Sequence, residues 1–156
     1  MNRRLGGADA TKLDGFESRF DTVVDSAFYH VFTDDEQTQK QYVQALHRAT
    51  KPGARLFMLE FGRHNVNGVQ FDGLPADNFE RVLGAGGWHV DYVGPSTYVG
   101  IFSPETMAFM TKMMSSQPAF AERMKPMLKR LRAIELLLEN HRVHMPMWAV
   151  AATRRD

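Results

Sequence analysis

The chain has no cysteine among its 156 residues, which excludes disulfides, thiolate metal sites and a cysteine nucleophile. Such a chain suits a reducing compartment, and a cytoplasmic location is the expectation. It also lacks a charge excess. Nineteen Lys and Arg against 18 Asp and Glu leave a net charge of +1, and scattered basic residues at that balance make no electrostatic case for nucleic acid. No apolar run approaches the roughly 18 residues of a membrane span, so no membrane partner is expected. The basic start MNRRLGGADATKLDG lacks the apolar stretch of a secretory signal. The histidines are dispersed (His30, His47, His64, His89) apart from His141 and His144, three residues apart. No motif specifies a metal, and no internal repeat or low-complexity segment is visible.

What is present describes an ordinary globular chain: 44% hydrophobic and 24% charged residues, at a length that forms one domain (1–156) with a real core. Ten methionines stand out, eight of them between Met107 and Met147. Methionine is flexible and polarizable, so this cluster suits an irregular core or an adaptable surface facing a ligand or partner.

Phe20 to Ser26 (FDTVVDS) is a short β-branched run that predicts a buried strand. Thr33-Asp34-Asp35-Glu36 fits a capping box, with the Thr33 hydroxyl on a first-turn amide and Glu36 reaching back. Tyr42, Val43, Leu46 and Ala49 then recur at helical spacing. Lys51-Pro52-Gly53 is expected to stop the helix, and Ala54 to Phe61 (ARLFMLEF) is nearly continuous in apolar residues, as a strand covered on both faces should be. Strand, helix and strand within about 40 residues make a βαβ unit with a parallel pair.

Arg63 to Gly73 reads as a loop, Pro75 to Leu83 as a helix, and Trp88 to Val93 as a third strand closed by Gly94-Pro95. Ser103-Pro104-Glu105 opens a Met-rich helical segment over about 103–142. Its second run, Pro118 to about Asn140, is expected to be interrupted or kinked near Pro126. Met124, Met127, Leu128, Leu131, Ile134, Leu137 and Leu138 form its apolar stripe. Met147 to Thr153 (MWAVAAT) is a fourth strand.

The order strand, capped helix, Lys-Pro-Gly turn, strand, helix, Gly-Gly-Trp strand, extra segment and closing Trp-Ala-Val strand resembles the latter half of a class I S-adenosylmethionine-dependent methyltransferase. The similarity runs over nearly the whole chain and is nearest to bacterial enzymes acting on small molecules. It implies an α/β fold, a partial Rossmann-like sheet of about four strands flanked by helices. The final strand is antiparallel and inserted, giving the order first, second, fourth, third. It also implies S-adenosylmethionine as cofactor and a small-molecule acceptor as partner.

Only 19 residues precede Phe20. The family's glycine-rich cofactor loop is absent, as is the acidic residue that holds the ribose. Arg4-Leu5-Gly6-Gly7 is not that loop, because no strand precedes it and no helix follows. The resemblance implies a further two to three strand–helix units, roughly 70 to 100 residues at about 30 or more per unit. The expectation is a truncated methyltransferase that acts only with a complementary N-terminal half.

By the resemblance, Asp9 and Ala10 occupy the short acidic stretch that contacts adenine; their alternative is a polar turn. Asp25 and Ser26 end the first strand, where open parallel sheets gather ligands, and the resemblance places the methyl-donor pocket there. Asp25 could orient the acceptor or assist its deprotonation, or could serve as a turn or capping carboxylate. Histidine as a residue type can exchange a proton near neutral pH, so His30 is the candidate base; a packing role is its alternative. Phe28, Tyr29 and Phe32 could wall an apolar acceptor or fill the core, and Glu60 faces the same rim or is structural. Two other functions remain open. One is a non-catalytic interaction or dimerisation protein with an open sheet edge and Met-rich helices. The other is a hydrophobic-ligand binder.

Overall fold

The computed structural model describes residues 7–116 and 118–156; the Arg4-Leu5-Gly6 part of the glycine-containing start lies outside them. Strand β1 (Phe20–Ser26) and strand β2 (Thr50–Phe61) pair in parallel, as the βαβ reading expects, with helix α1 (Glu36–Ala49) as the crossover. Asp35, and not Thr33, caps α1, its Oδ1 accepting the Thr38 amide at 3.0 Å. Thr33 is committed to the 3-10 turn before it (Tyr29–Phe32), where its hydroxyl donates to the His30 carbonyl. Glu36 turns outward to Lys40 and Arg81, so no reciprocal box forms.

Lys51-Pro52-Gly53 follows the helix end but belongs to β2. Phe20 pairs with Thr50 and Thr22 with Arg55, so β2 bulges by several residues there, with Gly53 at φ +72°. Such a positive φ is cheap only for glycine. Gly94-Pro95, expected to close the third strand, lies inside it. Strand β3 instead runs from Trp88 to Ile101, with Pro95 opposite Trp148. It lies at the edge of the sheet with a neighbour on one side only, which is where a sheet accommodates proline. Strand β4 (Arg142–Arg154) lies antiparallel between β2 and β3, giving the order β1-β2-β4-β3.

Helices α1 and α2 (Ala76–Ala85) cover one sheet face, burying Tyr42, Val43, Leu46, Phe79, Val82 and Leu83 against Leu56, Met58, Trp88 and Val150. A second core sits where β3 and β4 extend beyond the sheet. There helix α3 (Pro104–Ser115) and helix α4 (Pro118–Ile134) bring Met127, Leu128 and Leu131 onto Phe102, Val143 and Met145. Helix α4 runs through Pro126 without ending. Beyond Ile134 the chain passes into two short 3-10 turns, which break the helical spacing and leave Leu137 83% exposed instead of in the apolar stripe. Among the described residues no helix is long and apolar enough to cross a membrane.

The opposite sheet face is bare. Cross-strand pairing sets Val24, Phe57, Ala151 and Tyr92 in one row over all four strands, and Val24, Phe57 and Tyr92 are 73%, 41% and 54% exposed. The outer edge of β1, beside Val24, pairs with no described strand.

After β2 the chain loops back so closely that a Cβ on Gly73 would lie 2.5 Å from the Phe61 carbonyl oxygen. Backbone cannot yield as a side chain can, so Gly73→Ala should destabilise the fold by about 2 kcal/mol or more. Gly84→Ala, inside α2 with open space around it, should gain up to about 1 kcal/mol from helix propensity. Urea midpoints of the two variants check both signs.

Candidate functional site

β1 and β2 run parallel, so Ser26 and Phe61 finish at the same end of the sheet, where loops rather than strands bear ligands. β1 stops in a sharp reversal at Ala27, whose φ of +56° is left-handed without being glycine. A side chain in that region costs on the order of 1 kcal/mol and persists only where the surroundings impose it. The Ala27 amide donates to the Leu59 carbonyl at 2.8 Å. The next three amides converge on Glu60: its Oε1 accepts from Phe28 at 2.9 Å and Tyr29 at 3.0 Å, and its Oε2 from His30 at 3.1 Å. The His30 ring adds Nδ1, 3.2 Å from the same Oε2.

Asp25 lies beside Glu60, 3% exposed, taking the Phe28 amide at 3.0 Å and the Tyr42 hydroxyl at 2.8 Å. Burial first, and the neighbouring Glu60 carboxylate second, push Asp25 up to about 7; the Tyr42 and Phe28 hydrogen bonds oppose the shift. Burial likewise pushes the Tyr42 and Tyr29 phenols up, so both remain neutral donors. Tyr29 points into the core, its hydroxyl 3.1 Å from both Gln39 Oε1 and Asn78 Oδ1, and Asn78 Nδ2 donates to Gln39 Oε1 at 3.0 Å.

The structure therefore brings Asp25, Ser26, Phe28, Tyr29, His30 and Glu60 together. Two of the expected acceptor contacts have no accessible surface: Tyr29 and Glu60 are both 0% exposed. Polarity misled for Glu60, because a carboxylate at a strand end can bury itself when backbone amides surround it. Phe28 is exposed and packs on Phe32 and Tyr42. The His30 side chain is 31% exposed, and its ring meets Phe61 edge-on at 4.8 Å. Phe61 in turn joins Phe71 and the cluster holding Met107, Met110 and Met114.

Asp9 and Ala10 stand in a separate turn. The Asp9 carboxylate takes the Thr11 amide at 3.0 Å and faces Lys12 at 3.1 Å, and no hydrogen bond ties it to Asp25, Ser26 or Glu60 among the described residues. Tyr42, Gln39 and Asn78 were not foreseen as parts of the site. A glutamine at 39, three residues before Tyr42 on the apolar face of α1, was the available signal. Among the described residues no group of three or more His, Asp or Glu could hold a metal ion.

No protein-family model matches the sequence. Solved structures do share its fold. The cyclase SpnF superposes with a TM-score of 0.62 at 16% identity, over 96% of this chain and 55% of that one. An S-adenosylmethionine-dependent methyltransferase from Methanosarcina mazei gives 0.53 at 15%, over 99% and 71%. The Burkholderia thailandensis 1,6-didemethyltoxoflavin-N1-methyltransferase, solved with 1,6-didemethyltoxoflavin and S-adenosylhomocysteine, gives 0.51 at 13%, over 96% and 49%. The chain spans about half the length of the cyclase and of the toxoflavin enzyme. At these identities the likeness establishes the fold alone.

The folded Asp25 keeps its proton up to about pH 7, whereas an unfolded aspartate loses it near 3.8. Between those values the native state binds the extra proton, so this group's contribution to stability falls as pH rises from about 4 to about 7. Asp25→Asn, which mimics the protonated form, should gain on the parent over that window by on the order of 2 kcal/mol. Urea midpoints at pH 5, 6, 7 and 8 read the difference; a constant offset would contradict it.

Proposed function

We propose that this chain, which carries part of the class I S-adenosylmethionine-dependent methyltransferase fold, supplies the acceptor-facing wall for methyl transfer to a small molecule. It does so together with a complementary N-terminal half that brings the remaining cofactor contacts. The observation that carries this reading is that one turn at the carboxyl end of β1 presents an exposed Phe28 and a partly exposed His30, whose ring meets Phe61 of the Met-rich cluster. That surface is apolar with one titratable group on it, which suits an apolar acceptor carrying one ionisable hydroxyl or N–H.

The residues present fit part of a cofactor site. Ser26 and the Ala27 turn stand at the end of β1, with Ser26 exposed, and Asp9 and Ala10 would serve the adenine by resemblance. When bound, the sulfonium provides an electrophilic methyl group. Phe28 would hold the acceptor by its apolar face, and His30 would take the acceptor's proton at Nε2. Asp25, buried with Glu60, acts from behind the turn by fixing its backbone.

Support for a complementary half comes from the unpaired β1 edge and the bare row Val24, Phe57, Ala151 and Tyr92. Exposed apolar surface beside an open strand edge is where a sheet is extended. The same row favours a second reading, a non-catalytic interaction protein that dimerises through this face.

Calorimetry of the isolated chain with S-adenosylmethionine should give no micromolar binding, and a polypeptide encoded just upstream should restore it. Micromolar affinity in the chain alone would mean its cofactor site is complete. A monodisperse dimer by light scattering, still without cofactor binding when that polypeptide is added, would favour the interaction reading.

A further inference from the structure

Glu60 is thirty residues from His30 in sequence, has no accessible surface, and still touches it twice, at the amide and at the ring. Its two oxygens receive four N–H groups or their equivalents: the amides of Phe28, Tyr29 and His30, and His30 Nδ1. That fills about the four acceptor positions a carboxylate offers. Protonating Glu60 would set a hydroxyl against these donors. Asp25 accepts only the Phe28 amide and the Tyr42 hydroxyl, so of the two acids Glu60 is the one whose surroundings call for a carboxylate. An anion facing Nδ1 selects the imidazole tautomer that carries its proton there. The opposite nitrogen, Nε2, has no hydrogen-bond partner among the described residues.

We propose that Glu60 is a positioning residue for His30: it holds the imidazole as the Nδ1–H tautomer and in one orientation, so that Nε2 presents its lone pair as the base. The chemical purpose rests on the methyl-transfer reading above. In that step the acceptor's proton passes to Nε2 and the acceptor's lone pair bonds the methyl carbon. The carbon–sulfur bond breaks with its electron pair left on sulfur, and the imidazolium formed is stabilised by the Glu60 carboxylate beneath it. Glu60 itself touches neither acceptor nor donor. Two features set this pair apart from an ordinary buried ion pair. The carboxylate is wholly enclosed while the imidazole is one-third exposed, and the His30 amide and the His30 ring meet the same oxygen, Oε2. Ring orientation and turn conformation are therefore set by the same group.

The test is the tautomer of His30 in the full chain, read by long-range proton–nitrogen NMR of histidine-labelled protein at alkaline pH, without cofactor. The expected spectrum has a protonated Nδ1 and an unprotonated Nε2. In Glu60→Gln the carboxamide oxygen can keep the Phe28 and Tyr29 amides while its NH2 faces Nδ1 and gives up the His30 amide, so the two nitrogen signatures should exchange places. Rescue in Glu60→Asp, if it folds, would restore the original pattern. A parent His30 that is mainly Nε2–H overturns the proposal whether or not the variants fold, and so does an unchanged Nδ1–H tautomer in folded Glu60→Gln. Cofactor is absent throughout, so this result and the calorimetric one can fail independently.

Discussion

Burying a carboxylate beneath three consecutive backbone amides is the constraint on which the rest of this end of the molecule depends. The amides of residues 28 to 30 point inward and have no strand or helix to receive them, and unpaired buried amides are costly. Glu60 receives all three. Because Glu60 belongs to β2 and the amides follow β1, the contact also welds the ends of the two parallel strands. The left-handed Ala27 is tolerated because the chain must reverse there to bring these amides onto the carboxylate.

From that clamp, order spreads in two directions. Inward, Tyr29 carries it to Gln39 on α1 and Asn78 on α2, so one buried polar network ties the turn to both helices of the covered face. Outward, His30 leans on Phe61, and Phe61 belongs to the second, methionine-rich core. The two cores thus meet at the strand ends. A polar network of this kind is worth having only when every member is satisfied; Glu60 meets that condition with three amides and His30 Nδ1, and Asp25 with the Phe28 amide and the Tyr42 hydroxyl.

Much of the architecture was legible in the sequence. Short apolar runs marked β1 and β2, the helical spacing of Tyr42, Val43 and Leu46 marked the buried face of α1, and the family resemblance implied the inserted antiparallel strand. Punctuation by proline and glycine was less reliable. α1 does end just before Lys51-Pro52-Gly53, but these residues form a bulge inside β2, and Gly94-Pro95 sits inside an edge strand; both placements depend on neighbours that a linear reading does not contain. The site divides in the same way. His30, Phe28 and Asp25 fall within one short segment and could be picked out locally. The burial of Glu60 and Tyr29, and the partnership of Tyr42 with Asp25, follow from strand pairing and helix packing, so residue type alone pointed to the surface.

The insertion of β4 between β2 and β3 has a kinetic meaning. β2 and β3 do not pair with each other, and β3 meets the rest of the sheet only through β4. On the ribosome β1, α1 and β2 can assemble as soon as they emerge, but β3 must wait, unpaired, until the helical segment and then β4 have been made. The thirteen residues Arg142–Arg154 therefore act as a keystone placed last. Until they arrive, the edges of β2 and β3 that β4 will cover stay open together, and open edges invite mispairing.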